Sequence, residues 1–84
     1  MRVLHFKNDT ITIKEKNSPT VLFSYNLKQD ALSADLLVCL DCKVILLLVL
    51  CSKHNATTVY LDYNSELYEP LRQFKNLEVM YSLP

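Results

Sequence analysis

The chain has 84 residues, half of them hydrophobic, with nine basic and nine acidic side chains cancelling. That length holds one domain, residues 1–84, with a thin but adequate core, and the apolar, balanced composition excludes intrinsic disorder. A pI near 6.7 and the lack of any Lys/Arg run argue against a basic footprint, so the sequence predicts no nucleic-acid partner.

The chain has no glycine at all, where ordinary usage of about 7% predicts about six. Phosphate-cradling loops and the nucleophile elbow depend on glycine. Nucleotide chemistry performed by this chain alone is therefore not expected, and no cofactor is predicted. Three cysteines, Cys39, Cys42 and Cys51, cannot all pair within one chain. They suggest a reducing, cytoplasmic setting. Residues Leu32 to Cys51 are the one stretch of membrane-spanning length, but Asp35, Asp41 and Lys43 lie inside it. Each such charge costs about 2.5–3.5 kcal/mol near a bilayer centre, so direct membrane insertion is not predicted.

In chain order, Val3 to Phe6 is a short strand, and Asp9 to Lys14 alternates polar and apolar as a half-buried strand does. Lys7-Asn8-Asp9 supplies the turn between them without glycine. Val21, Phe23, Tyr25 and Leu27 alternate like a strand. However, Ser18-Pro19 provides a helix entry and Leu27 to Leu32 are good helix formers, which together predict a helix over Thr20 to Leu32. Leu36 to Leu40, an apolar run between Asp35 and Asp41, predicts a strand buried on both faces.

Lys43 to Lys53 is apolar almost all round, as a helix held inside a small core would be. It ends on basic residues and Asn55, which replaces the usual terminal glycine. Thr57 to Asp62 predicts a strand. Asn64 or Ser65 then caps a short helix with the stripe Leu67, Leu71 and Phe74, Pro70 near its first turn and a stop at Lys75-Asn76. Leu77 to Tyr81 predicts a last strand. Strands alternating with helices give an α/β fold: a small two-layer domain with a mixed, mostly parallel sheet and helices packed on it.

Cys39-x2-Cys42 with Cys51-x2-His54 has the residue types of a zinc site. If the middle segment is helical, Cys42 and Cys51 lie about 13 Å apart along its axis, too far for one ion. Buried structural cysteines explain the set better than zinc, and a redox Cys39/Cys42 pair is a further alternative, so no metal ligand is predicted. His5 and His54 have no Ser or Cys placed for nucleophilic work and suit surface positions. Glu66 and Glu69 suit the first turn of a helix. The five tyrosines suit the rim of the core, with some available to a partner. No catalytic residue is predicted.

The order of elements resembles a STAS domain, most closely the small MlaB-type subunit of bacterial phospholipid-transport ABC systems. Asn8 to Ile13 resembles the family's opening strand, without its glycines. Ser18 to Leu32 would be its first helix. Leu37 to Asp41 resembles the central strand, Val44 to Leu50 the leucine-rich helix, and Thr58 to Leu61 with Ser65 to Leu71 the late strand and following helix. The family's phosphorylatable turn before the central helix has one counterpart, Asp41-Cys42-Lys43. Asp41 corresponds either to the strand-end Asp or to the turn Asp. With Cys42 in the acceptor slot, hydroxyl phosphorylation is impossible.

The resemblance implies a non-enzymatic interaction domain whose partner, the ATPase subunit of an ABC transporter, reads Asp41, Cys42, Lys43 and the adjoining helix face. An anti-sigma-factor-antagonist-like regulator and a small viral or phage accessory protein of α/β fold are the alternatives.

Overall fold

The computed structural model describes residues 1–30 and 39–82. Its strands are β1 (Arg2–Lys7), β2 (Thr10–Glu15), β3 (Val21–Asn26), β4 (Ala56–Leu61) and β5 (Glu78–Tyr81). Its helices are α1 (Leu27–Asp30), α2 (Leu40–His54) and α3 (Tyr68–Arg72). The five strands form one mixed sheet in the order β3-β2-β1-β4-β5. β1 pairs antiparallel with β2, and β2 with β3. β1 pairs parallel with β4, and β4 with β5. The α/β architecture expected from the sequence is present, with parallel and antiparallel pairings in equal number.

Register alternation gives the sheet two unlike faces. Leu4 lies between Ile13 and Val59, and Phe6 between Ile11 and Leu61. All six are buried in one cluster with Leu27 of α1, Leu47, Leu50 and Cys51 of α2, and Leu67 and Leu71 at α3. Every described helix thus contributes to the same face. Among the described residues, Val3, only 4% exposed, is the one buried hydrophobic residue outside that cluster. It lies on the opposite face between Lys14 and Thr58.

Turns are made without glycine. Among the described residues, those at positive φ are Asn8, Asp9, Asn17, Asn55 and Asn64, all Asn or Asp, whose short polar side chains tolerate the left-handed region. Asn8-Asp9 makes the β1–β2 turn. Asn55 ends α2 at φ 58° and ψ 37°, with its N–H donating to the carbonyls of Cys51 and Ser52.

Three expected elements differ. The helix expected over Thr20 to Leu32 is mostly β3: Val21 to Asn26 pair with β2, placing Phe23 opposite Ile13 and Tyr25 opposite Ile11. Alternation and aromatic packing outweigh the Ser18-Pro19 entry signal. Ser18 Oγ accepts the Thr20 N–H in a local turn instead. The helix formers do begin a helix, seven residues later than the expected start at Thr20, at Leu27. Asn26 Oδ1 caps it by accepting the N–H groups of Lys28 and Gln29 at 2.9 and 3.0 Å.

The strand expected over Leu36 to Leu40 is displaced at its end. Cys39 is the N-cap of α2 and Leu40 and Asp41 are helical, so Asp41 is not a strand-end residue. Extended backbone at Cys39 and its Sγ, which accepts the Cys42 N–H at 3.2 Å, start the helix three residues before Lys43. The remainder of that strand and the end of the Thr20–Leu32 helix lie outside the described residues.

The short late helix keeps Leu67 and Leu71 in the core but stops at Arg72, leaving Phe74 exposed and ending ahead of Lys75-Asn76.

The left-handed cap at Asn55 yields a stability prediction. Asn55→Gly leaves the thermal midpoint unchanged or raised, whereas Asn55→Ala lowers stability by about 1 kcal/mol in urea denaturation, because a Cβ disfavours the left-handed region. Equal stability of the two variants would contradict that geometry.

Candidate functional site

The front of α2 lies where the parallel strands β1 and β4 end. In open α/β sheets the crevice beyond the carboxyl ends of parallel strands is the usual place for a binding site. Here that crevice is a cleft of about 230 Å³. Phe6, Leu40 and Leu67 form its apolar lining, and Asn8, Asp9, Lys43, Asp62, Ser65 and Glu66 its polar lining. Asn8 and Asp9 follow directly on β1, and Asp62 directly on β4, so the sheet register brings them together. The Asn8 N–H donates to Asp62 Oδ2 at 3.4 Å and ties the two strand ends. Asp9 is engaged by Lys28 at 3.7 Å. Ser65 Oγ accepts the Leu67 N–H at 3.2 Å and is spent on ordering the loop before α3. Among the described residues lining the cleft, Lys43 is the single cation.

Asp41, Cys42 and Lys43, singled out from the sequence, share the first turn of α2 rather than a loop in front of it. Asp41 is exposed, near the positive end of the helix dipole. Cys42 and Lys43 are half-buried, and Lys43 borders the cleft. The neighbouring carboxylates Asp62 and Glu66 were not singled out as site residues. The signal was available, since an acidic residue immediately after a predicted parallel strand falls at the crevice.

Outward from this first turn, α2 shows an apolar side to solvent. Leu47, Leu50 and Cys51 face the sheet, while Ile45 and Val49, one turn apart, are 61% and 55% exposed. At the rear of α2, His54 is half-buried. Its ring packs on Phe23 at a centroid distance of 4.8 Å, its carbonyl accepts from the Arg2 guanidinium at 3.1 Å, and its Nε2 is enclosed without a hydrogen-bond partner among the described residues. His5 is half-buried as well, stacked on Tyr60. Both histidines lie at the positions expected, in a strand and at a helix end, but each is half-buried, with its ring packed on an aromatic neighbour.

Cys39, Cys42 and Cys51 are all thiols. Cys42 and Cys51 lie nine residues apart on one continuous helix, about 13 Å along its axis. Among the described residues no group of three or more His, Cys, Asp or Glu side chains is arranged to hold a metal ion. No described helix is long and apolar enough to cross a membrane.

Comparison with protein-family models, with curated proteins and with solved structures finds no match.

Burial pushes the Cys51 thiol up to about 11, so its thiolate is scarce at neutral pH, and the thiolate is the reactive form. Iodoacetamide at pH 8 is therefore expected to leave Cys51 unlabelled in the native protein and to label it fully in urea, as read by peptide mass spectrometry. Native labelling of Cys51 at the rate of an unfolded thiol would contradict its placement against the sheet.

Proposed function

We propose that the chain is a protein-interaction domain, acting by binding and not by catalysis, which a partner protein grips at the front of α2. Asp41, Cys42 and Lys43 form the polar part of the grip, and Ile45 and Val49 the apolar part. The observation that carries this reading is the pair of aliphatic side chains, more than half exposed on consecutive turns of α2, directly behind an exposed acidic residue and beside a charged cleft. Adjacent apolar side chains bordered by charge suit a protein contact, with the apolar centre excluding water and the rim setting orientation.

The cleft supports binding of a protrusion from the partner. Asp62 and Glu66 favour a basic group, and Lys43 an acidic one. The STAS resemblance supplies the partner to test first, the cytoplasmic ATPase subunit of a phospholipid-transport ABC complex. In that reading nucleotide chemistry stays with the ATPase, and this chain stabilises and positions it.

The test is the affinity of the purified chain for that ATPase subunit by biolayer interferometry. Lys43→Glu and Ile45→Asp are each expected to weaken binding at least about tenfold, the equivalent of about 1.4 kcal/mol. Binding that neither change alters would remove the front of α2 from the interface, and absence of binding by the wild-type chain would remove this partner.

A further inference from the structure

The sheet face opposite the helices is crossed by none of the described elements, and its chemistry differs from that of the cleft. At its centre His5 on β1 and Tyr60 on β4, direct cross-strand neighbours, stack with ring centroids 4.8 Å apart and planes 13° from parallel. Two recesses adjoin the pair. One of about 640 Å³ lies towards β5 and is bordered by Lys7, Met80 and Ser82. The other, of about 470 Å³, lies towards the β2–β3 turn and is bordered by Lys14 and Lys16. A third, beside Tyr60, reaches Lys75.

None of these four lysines is in an ion pair among the described residues. On the acid side, Glu78 borders the third recess, and Glu15 is neutralised by Arg2 and the N-terminal ammonium, each at 3.2 Å. The neutral chain thus distributes its charge unevenly: Asp9, Asp62 and Glu66 outnumber Lys43 at the cleft, and Lys7, Lys14, Lys16 and Lys75 outnumber Glu15 and Glu78 around the open face. Summed charge, on which the sequence argument against nucleic acid rested, does not describe that face.

We propose that this open face binds single-stranded nucleic acid, with bases stacking against the Tyr60–His5 pair and Lys7, Lys14, Lys16 and Lys75 meeting phosphates. Partial burial, with Lys14 second, lowers the His5 pKa below its ordinary value, a shift that favours the uncharged ring over the charged one. Five strands at about 4.8 Å spacing make a platform about 20 Å across, long enough for a short run of nucleotides. An acidic peptide would use the lysines but not the rings. A polynucleotide uses both, since stacking and phosphate neutralisation are its two general handles. The proposal concerns a different surface from the protein contact at α2, and each stands if the other fails.

The test is fluorescence anisotropy of the full chain with a labelled oligothymidylate of about a dozen nucleotides, a length suited to single-strand sites. Binding is expected to weaken with salt at a log–log slope of about −0.7 per phosphate engaged, hence about −2 to −3 for three or four lysines. Tyr60→Leu is expected to weaken it about tenfold with the salt slope unchanged, Tyr60→Phe to keep it within about twofold, and Lys14→Glu to weaken it and flatten the slope. Ile45→Asp on α2 is expected to leave it unaltered.

No binding at low salt, equal binding by Tyr60→Leu, or displacement by polyglutamate as readily as by unlabelled oligonucleotide would overturn the proposal; the last result would mark an acidic-peptide surface. If circular dichroism shows Tyr60→Leu unfolded, exposed Lys7→Glu decides, with unchanged affinity and slope overturning it.

Discussion

Parallel pairing of β1 with β4 is the constraint from which the rest of the molecule follows. Parallel neighbours cannot be joined by a tight turn, so the chain must leave the plane of the sheet and return through a crossover. Here α2 delivers the chain into β4 and lays Leu47, Leu50 and Cys51 on the sheet as it does so. Burial on that face places the aliphatic side chains of β1, β2 and β4 together. It also commits β1, at the centre of the order, to one neighbour of each direction. The same pairing sets the strand ends side by side, which makes the cleft at the front of α2, and sets His5 against Tyr60 on the other side. Both candidate binding surfaces are consequences of one register.

A chain without glycine has to build this fold from residues that carry a Cβ. Among the described residues, positive φ falls at five Asn or Asp positions, each a place where a short polar side chain lessens the cost of the left-handed region. Asn55 shows the economy of the arrangement, closing α2 through its own backbone N–H and starting β4 one residue later. The first and fourth strands, the long helix and its stop were legible because periodicity and turn chemistry agree there. In β3 they disagree. A serine–proline entry signal and late helix formers compete with four alternating apolar residues, and the sheet edge wins because Phe23 and Tyr25 gain neighbours on β2 that a helix would not offer. The start of α2 was hidden for a different reason. Cys39 is not an ordinary capping residue, yet its thiol accepts a backbone N–H as a serine would, and no compositional rule flags it.

Site residues were legible to the extent that they sit at a helix front. Asp41, Cys42 and Lys43 share a helical turn, and Lys43 reaches the cleft, but the carboxylates Asp62 and Glu66 that line it as well come from the segment after β4, distant in sequence. Charge separation between the two faces was not legible at all. Nine positive and nine negative groups sum to zero, and only the register decides that lysines outnumber carboxylates around the open face while Asp62 and Glu66 line the crevice with Lys43. We propose a domain with two working sides, a helix front for a protein partner and a sheet face for a polyanion. Their separation by the whole core lets one be altered without the other.

The central claim is the order of the sheet, with β1 paired on both sides and β3 and β5 at the edges. Amide hydrogen exchange followed by NMR tests it most directly, since global protection belongs to strands that are hydrogen-bonded on both sides and edge strands open locally. The account predicts that the amides of Leu4, Phe6, Val59 and Leu61 include the slowest in the protein, with those of β3 and β5 exchanging faster. Rapid exchange along β1, or slowest exchange along β3, would contradict the strand order and with it both binding surfaces.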